Sequence, residues 1–81
     1  MNEGEARLME FQSGVMDQHS FYGYLFSAAF KADSINKCKL KMGFQEEIEA
    51  VERWKNEEGY AQKLRLAFQS GKGPIDGFRT E

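Results

Sequence analysis

The chain of 81 residues sets 11 Lys and Arg against 13 Asp and Glu, for a formal net charge of −2, and holds one cysteine and one histidine. At this length a single domain is expected, one that buries only about 60–65% of its unfolded surface and so has no large core. Cys38 alone closes no intrachain disulfide, and Cys38 with His19 cannot supply the four ligands of a structural zinc site.

The N-terminal stretch MNEGEARLME is acidic, unlike the basic start of an export signal, and the longest apolar-rich run is interrupted by Gly23, Ser27 and Lys31. Neither a secretory signal nor a membrane span is expected, and a reducing, cytoplasmic setting is. The β-branched residues Val15, Ile35, Ile48, Val51, Ile75 and Thr80 are scattered, and no stretch sustains apolar–polar alternation. The expectation is therefore an all-α fold: a small bundle of four to five short helices in residues 1–70, followed by a flexible tail over 71–81.

In chain order, Leu8, Phe11 and Val15 fall at i, i+3 and i+7, which predicts a first helix over Glu5–Gln12 stopped by Ser13-Gly14. Ser20 is a good N-cap for a second helix reaching at least Ala32. On a helical projection Phe21, Leu25, Ala28 and Ala32 make one ridge, and Tyr22, Phe26, Ala29 and Phe30 the ridge beside it. Only Gly23, Ser27 and Lys31 remain as a polar strip, so this helix has to be covered on two sides. At Asp33-Ser34 the pattern changes. Either one long helix makes different contacts at its two ends, or the chain breaks or kinks there and Asp33 caps a third helix, with Ile35, Cys38 and Met42 as an apolar stripe that helps cover one side of the aromatic helix and Gly43 as a left-handed stop. A fourth helix follows Phe44, with Ile48, Val51 and Trp54 inward, Glu46 and Glu47 in its first turn, and Glu49 paired with Arg53 at i, i+4. Gly59 ends it. A fifth runs from Tyr60 to about Ser70 with Tyr60, Leu64, Ala67 and Phe68 inward, and GKGPIDGFRTE, rich in glycine, forms the tail.

Charge is unevenly distributed. Lys31, Lys37, Lys39 and Lys41 stand against Asp33 alone, whereas QEEIEAVERWKNEE carries six glutamates against Arg53 and Lys55. Opposite charge on neighbouring helices accounts for this; the sharper reading is that the four lysines contact phosphates, although they fall short of a continuous basic stripe.

Catalytic and metal patterns fail on their residues. His19 beside Asp17 has no nucleophile next to it in sequence. DSINKCKLKMGF, from Asp33 to Phe44, puts Ile35, Lys37, Cys38 and Phe44 where a calcium loop needs oxygen ligands and its glutamate. GKGP lacks the earlier glycine and the Ser or Thr of a phosphate-binding loop. Glu46, Glu47 and Glu49 do not form the Glu-x-x-His pattern of a di-iron bundle. No enzyme activity, cofactor or metal is expected.

FYGYLFSAAFKADSINKCKLKMGFQEEIEAVERWKNEEGY, Phe21 to Tyr60, resembles a group of short uncharacterised proteins encoded by bacteriophages and prophages of gut bacteria. The shared features are an aromatic helix, Ala32-Asp33, Asn36, Leu40, Gly43-Phe44 and a glutamate-rich helix ending near a tyrosine; Gln45 stands where the group has a proline. The resemblance implies a phage accessory protein that binds a host or phage protein, and little chemistry. Two functional classes are thereby in play. The first is a non-catalytic protein-interaction module that uses Tyr22, Phe26 and Phe30 as its partner surface, most simply with a second copy packed antiparallel around Gly23. Its rival within one chain is that the N-terminal segment folds back over this ridge. The second class is a small nucleic-acid-associated protein using Lys31, Lys37, Lys39 and Lys41.

Overall fold

The structure is a computed structural model and describes residues 1–70; the expected tail over 71–81 lies outside the described residues. Five helices succeed one another: α1 (Glu3–Gln12), α2 (Phe21–Lys31), α3 (Ser34–Gly43), α4 (Gln45–Asn56) and α5 (Tyr60–Gln69). The described residues contain no strand. The fold is all-α, as the spacing of the apolar residues predicts.

Local chemistry explains the helix starts. Asn2 and Glu5 form a reciprocal capping box: the Glu5 amide donates to Asn2 Oδ1 at 2.7 Å and the Asn2 amide to Glu5 Oε1 at 2.8 Å. Ser20 accepts from the Gly23 amide at 3.1 Å, and Asp33 from the Asn36 amide at 2.8 Å, so each polar residue closes one helix N-terminus. Asp33 thus divides α2 from α3, as the change of pattern there predicts. Two terminations differ from expectation. Gly59 has the left-handed φ of 84° that suits glycine, and it opens α5. Gly43 does not: it is an ordinary last residue of α3, and the chain turns at Phe44, with φ −134° and ψ 59°.

The core is organised by α1, which begins two residues earlier than expected and packs chiefly against α4. Leu8 joins Phe26, Ala29, Ile48, Ala50 and Val51 in one cluster, while its neighbour Met9 joins Tyr60 and Leu64 in a second; Trp54 borders both. One helix therefore serves two clusters from adjacent positions. Val15, assigned to the apolar face of α1, lies beyond the helix and is 69% exposed; Met16 packs on the core in its place. The reason is that Ser13 and Gly14 end the helix one turn before Val15 could come round to the buried side.

Charged side chains tie the ends together. Lys41 donates to Glu52 at 2.9 Å, joining α3 to α4 as the opposite charges of the two segments suggest, and the carboxylate raises the Lys41 pKa above its usual value. The Glu49–Arg53 pair expected on α4 does not form. Arg53 reaches forward to Glu57 instead, with Nε donating to Oε1 at 2.7 Å and Nη2 to Oε2 at 2.9 Å, and Glu49 accepts from Gln45 at 3.2 Å. A two-pronged guanidinium–carboxylate contact outcompetes a single one on the same exposed helix face.

Glu5 is the junction of α1, α4 and α5. Its Oε1 closes the capping box, its Oε2 accepts from Tyr60 Oη at 2.7 Å, and Arg53 Nη1 lies 3.8 Å away while its guanidinium covers the Tyr60 ring at 4.1 Å. Burial and the adjacent carboxylate push the Tyr60 hydroxyl well above its ordinary pKa, and it stands as the donor in this bond. Glu5→Ala is expected to destabilise by about 1–2 kcal/mol, because it removes a cap and strands the hydroxyl of the buried Tyr60. Asn2→Ala, which removes the cap alone, is expected to cost about half of that; equal losses in paired thermal melts would show that the Tyr60 contact contributes nothing.

Candidate functional site

Of the residues assigned to partner binding, one lies in the core and two at its edge. Phe26 is 0% exposed, and Tyr22 and Phe30 are half-buried against it. Phe11 of α1 covers them, its ring 5.5 Å from Phe26 and 6.3 Å from Phe30, and Arg7 caps Tyr22 at 4.5 Å. The fold-back of the N-terminal segment thus supplies the second cover that α2 requires, and it leaves only the edges of Tyr22 and Phe30 at the surface. Gly23 is likewise used internally. A Cβ there would lie 2.6 Å from the Gln18 carbonyl oxygen and 2.7 Å from that of Asp17, so the close backbone approach serves the chain's own turn before α2, not a second copy.

The apolar surface left over lies on α3. No residue of this helix is buried, and Leu40 and the following Phe44 are its only side chains packed against the core. Lys37 and Lys41 share their side, facing α4. The Ile35, Cys38 and Met42 stripe, expected to cover α2, points into solvent instead: Ile35 is 69% exposed, Met42 89%, and Cys38 is exposed. The physical reason is that α1 already occupies the flank of α2, so α3 docks on α4 by its basic side, through Leu40 and the Lys41–Glu52 bond. Phe21, 62% exposed, and Tyr24, 59% exposed, add to the apolar surface from α2.

Between the second half of α2 and α3 runs an open groove of about 520 Å³, lined by Ala28, Lys31, Ala32, Asn36, Lys39 and Leu40. Tyr24 and Phe21 lie four and seven residues before Ala28, on the same side of α2, and Ile35 and Met42 flank Lys39 on α3. The four lysines considered for phosphate contact are therefore split. Lys41 is held by Glu52 and Lys37 is half-buried beside it, while Lys31 and Lys39 rim the groove. One continuous phosphate-binding patch does not result.

Of the residues with catalytic potential, His19 lies on the surface and Ser20 caps a helix. The His19 ring is exposed; its backbone amide donates to Asp17 Oδ1 at 2.9 Å, and the ring stands 3.6 Å from that carboxylate. The neighbouring Ser20 hydroxyl donates to the Asp17 carbonyl at 2.6 Å and caps α2, so it is fixed as a structural group. Among the described residues no three His, Cys, Asp or Glu side chains come together as a metal site would require, and no helix is long and apolar enough to cross a membrane. Glu10 has its pKa raised by burial, with Arg7 opposing the shift at 4.0 Å; this pair belongs to the cover over α2.

Sequence reasoning found the apolar stripe of α3 but assigned it to the interior, and the groove depends on how far α2 and α3 diverge, which no local pattern reports. Comparison with known proteins finds no family model, curated relative or solved structure that matches the chain. The class defined by fold and site is a five-helix domain with an apolar, basic-rimmed face on α2 and α3.

Proposed function

We propose that the protein is a non-catalytic protein-interaction module whose docking face is the outer side of α3 with the adjoining groove. One observation carries this reading: a whole helix buries none of its residues and turns Ile35, Cys38 and Met42 to solvent at i, i+3 and i+7. A helix that fully buries none of its residues and presents an apolar stripe to solvent has the form of a recognition element. On the strength of the resemblance of Phe21–Tyr60 to phage-encoded proteins, the partner is a host or phage protein, and the setting is the bacterial cytoplasm.

The test uses two variants. Ile35→Glu with Met42→Glu is expected to leave stability within about 0.5 kcal/mol of the parent, as exposed positions do. A photo-cross-linking residue at Cys38, midway along the stripe, is expected to trap a second polypeptide in the producing cell, and the double substitution is expected to abolish that product. A large loss of stability would make the stripe structural. Cross-links only to the same chain would assign the face to self-association, and cross-links to nucleic acid would favour the phosphate-binding alternative.

A further inference from the structure

Given a docking face on the outer side of α3, a reading on which the choice of partner rests, the adjoining groove narrows that choice. Its floor is apolar, formed by Ala28, Ala32 and Leu40, while its rims carry Lys31 on α2 and Lys39 on α3. Among the described residues neither lysine has a hydrogen bond or ion pair. Asp33, the nearest acid in sequence, is committed to capping α3 through the Asn36 amide at 2.8 Å, and Ser34–Gly43 contains no acidic residue at all. Two uncompensated cations thus face each other across an apolar trough. The exposed Ile35 and Met42 extend the apolar surface along α3, and Phe21 and Tyr24 extend it along α2.

From this juxtaposition we infer that the groove receives an acidic amphipathic helix of a different protein, laid between α2 and α3 with its apolar ridge on Ala28, Ala32 and Leu40 and its carboxylates on Lys31 and Lys39. A trough between two helices fits the ridge of a third, and alanines in its wall let the backbones come close. Charge decides against the other occupants. A second copy pairing through this face would bring a second Lys31 and Lys39 to the groove and no carboxylate from its α3, and like charges oppose association. Nucleic acid would meet only two free cations at the groove and would leave its apolar floor without a complementary surface.

Two synthetic peptides test the inference on the full chain. Both carry leucines at i, i+3 and i+7; one is flanked by glutamates, the other by lysines. Binding is followed by fluorescence anisotropy, with amide resonances locating the site. The acidic peptide is expected to bind, to shift Ala28, Ala32, Asn36 and Leu40, and to resist displacement by duplex or single-stranded oligonucleotide. Lys31→Glu with Lys39→Glu is expected to weaken the acidic peptide by about tenfold or more and to turn preference toward the basic one. Equal binding of both peptides, shifts elsewhere, displacement by oligonucleotide, or a concentration-dependent dimer whose interface covers the groove would each overturn it. If neither peptide binds, the acidic-helix inference falls; the docking reading then stands or falls separately on the cross-link at Cys38 and its loss in the Ile35→Glu, Met42→Glu variant.

Discussion

Phe26→Ala is expected to cost about 3–5 kcal/mol, which is most of the stability a domain of this size possesses. The ring is 0% exposed and is the largest fully buried side chain, packed with Leu8, Ile48 and Val51 and against Phe11. Removing it opens a cavity where three helices meet, and α1 cannot collapse into that space while Gly4 holds its other end against α4. In a thermal melt the loss corresponds to about 15 °C or more. Phe26→Glu goes further, since it puts a carboxylate into the apolar cluster of Leu8, Ala29, Ile48 and Val51, and is expected to leave the chain without a cooperative transition. Phe21→Ala is the control. Phe21 belongs to the same helix but is 62% exposed, with its ring against Tyr22 and Phe44, and its loss is expected to cost at most about 1 kcal/mol. A Phe26→Ala protein melting beside the parent would return that ring to the surface and revive it as a docking residue.

Most of the fold was legible because helix boundaries are written in short-range chemistry. Ser20 and Asp33 name their own helices through one side-chain oxygen each, and Leu64 and Tyr60 lie one turn apart whatever surrounds them. The functional surface was less legible because it depends on which helix covers which face. The projection of α2 correctly demanded two covers, but Phe11 and the Ile35–Cys38–Met42 stripe were equally apolar candidates for one of them. The choice was made by α1, which reaches both clusters from Leu8 and Met9 and leaves α3 outside. The signal for that choice was Gly4. A glycine in the first turn of an otherwise ordinary helix reads locally as weak propensity, yet here it marks the closest approach of two helices.

That approach makes Gly4→Ala the second large prediction. A Cβ at Gly4 would lie 2.4 Å from the carbonyl carbon of Glu46, and 2.6 Å from both its oxygen and the Glu47 nitrogen. All three are backbone atoms at the start of α4, so no side chain can swing away to make room, and one helix has to shift against the other. The gain in helix propensity, about 1 kcal/mol at most, is smaller than overpacking of this kind, which costs about 1–3 kcal/mol and more when backbone is involved. A shift of α1 also loosens the Glu5–Tyr60 bond at 2.7 Å and both clusters, which share this helix. A net loss of about 2 kcal/mol or more is therefore expected, read as a lower melting temperature with unchanged helical signal at low temperature. Gly43→Ala provides the comparison: nothing lies within 4 Å of a Cβ there and φ is not positive, so the same substitution is expected to be neutral or to stabilise by up to about 1 kcal/mol. If the two variants melt alike, α1 and α4 are not in contact at Gly4, and the cover over Phe26 has to come from elsewhere in the chain.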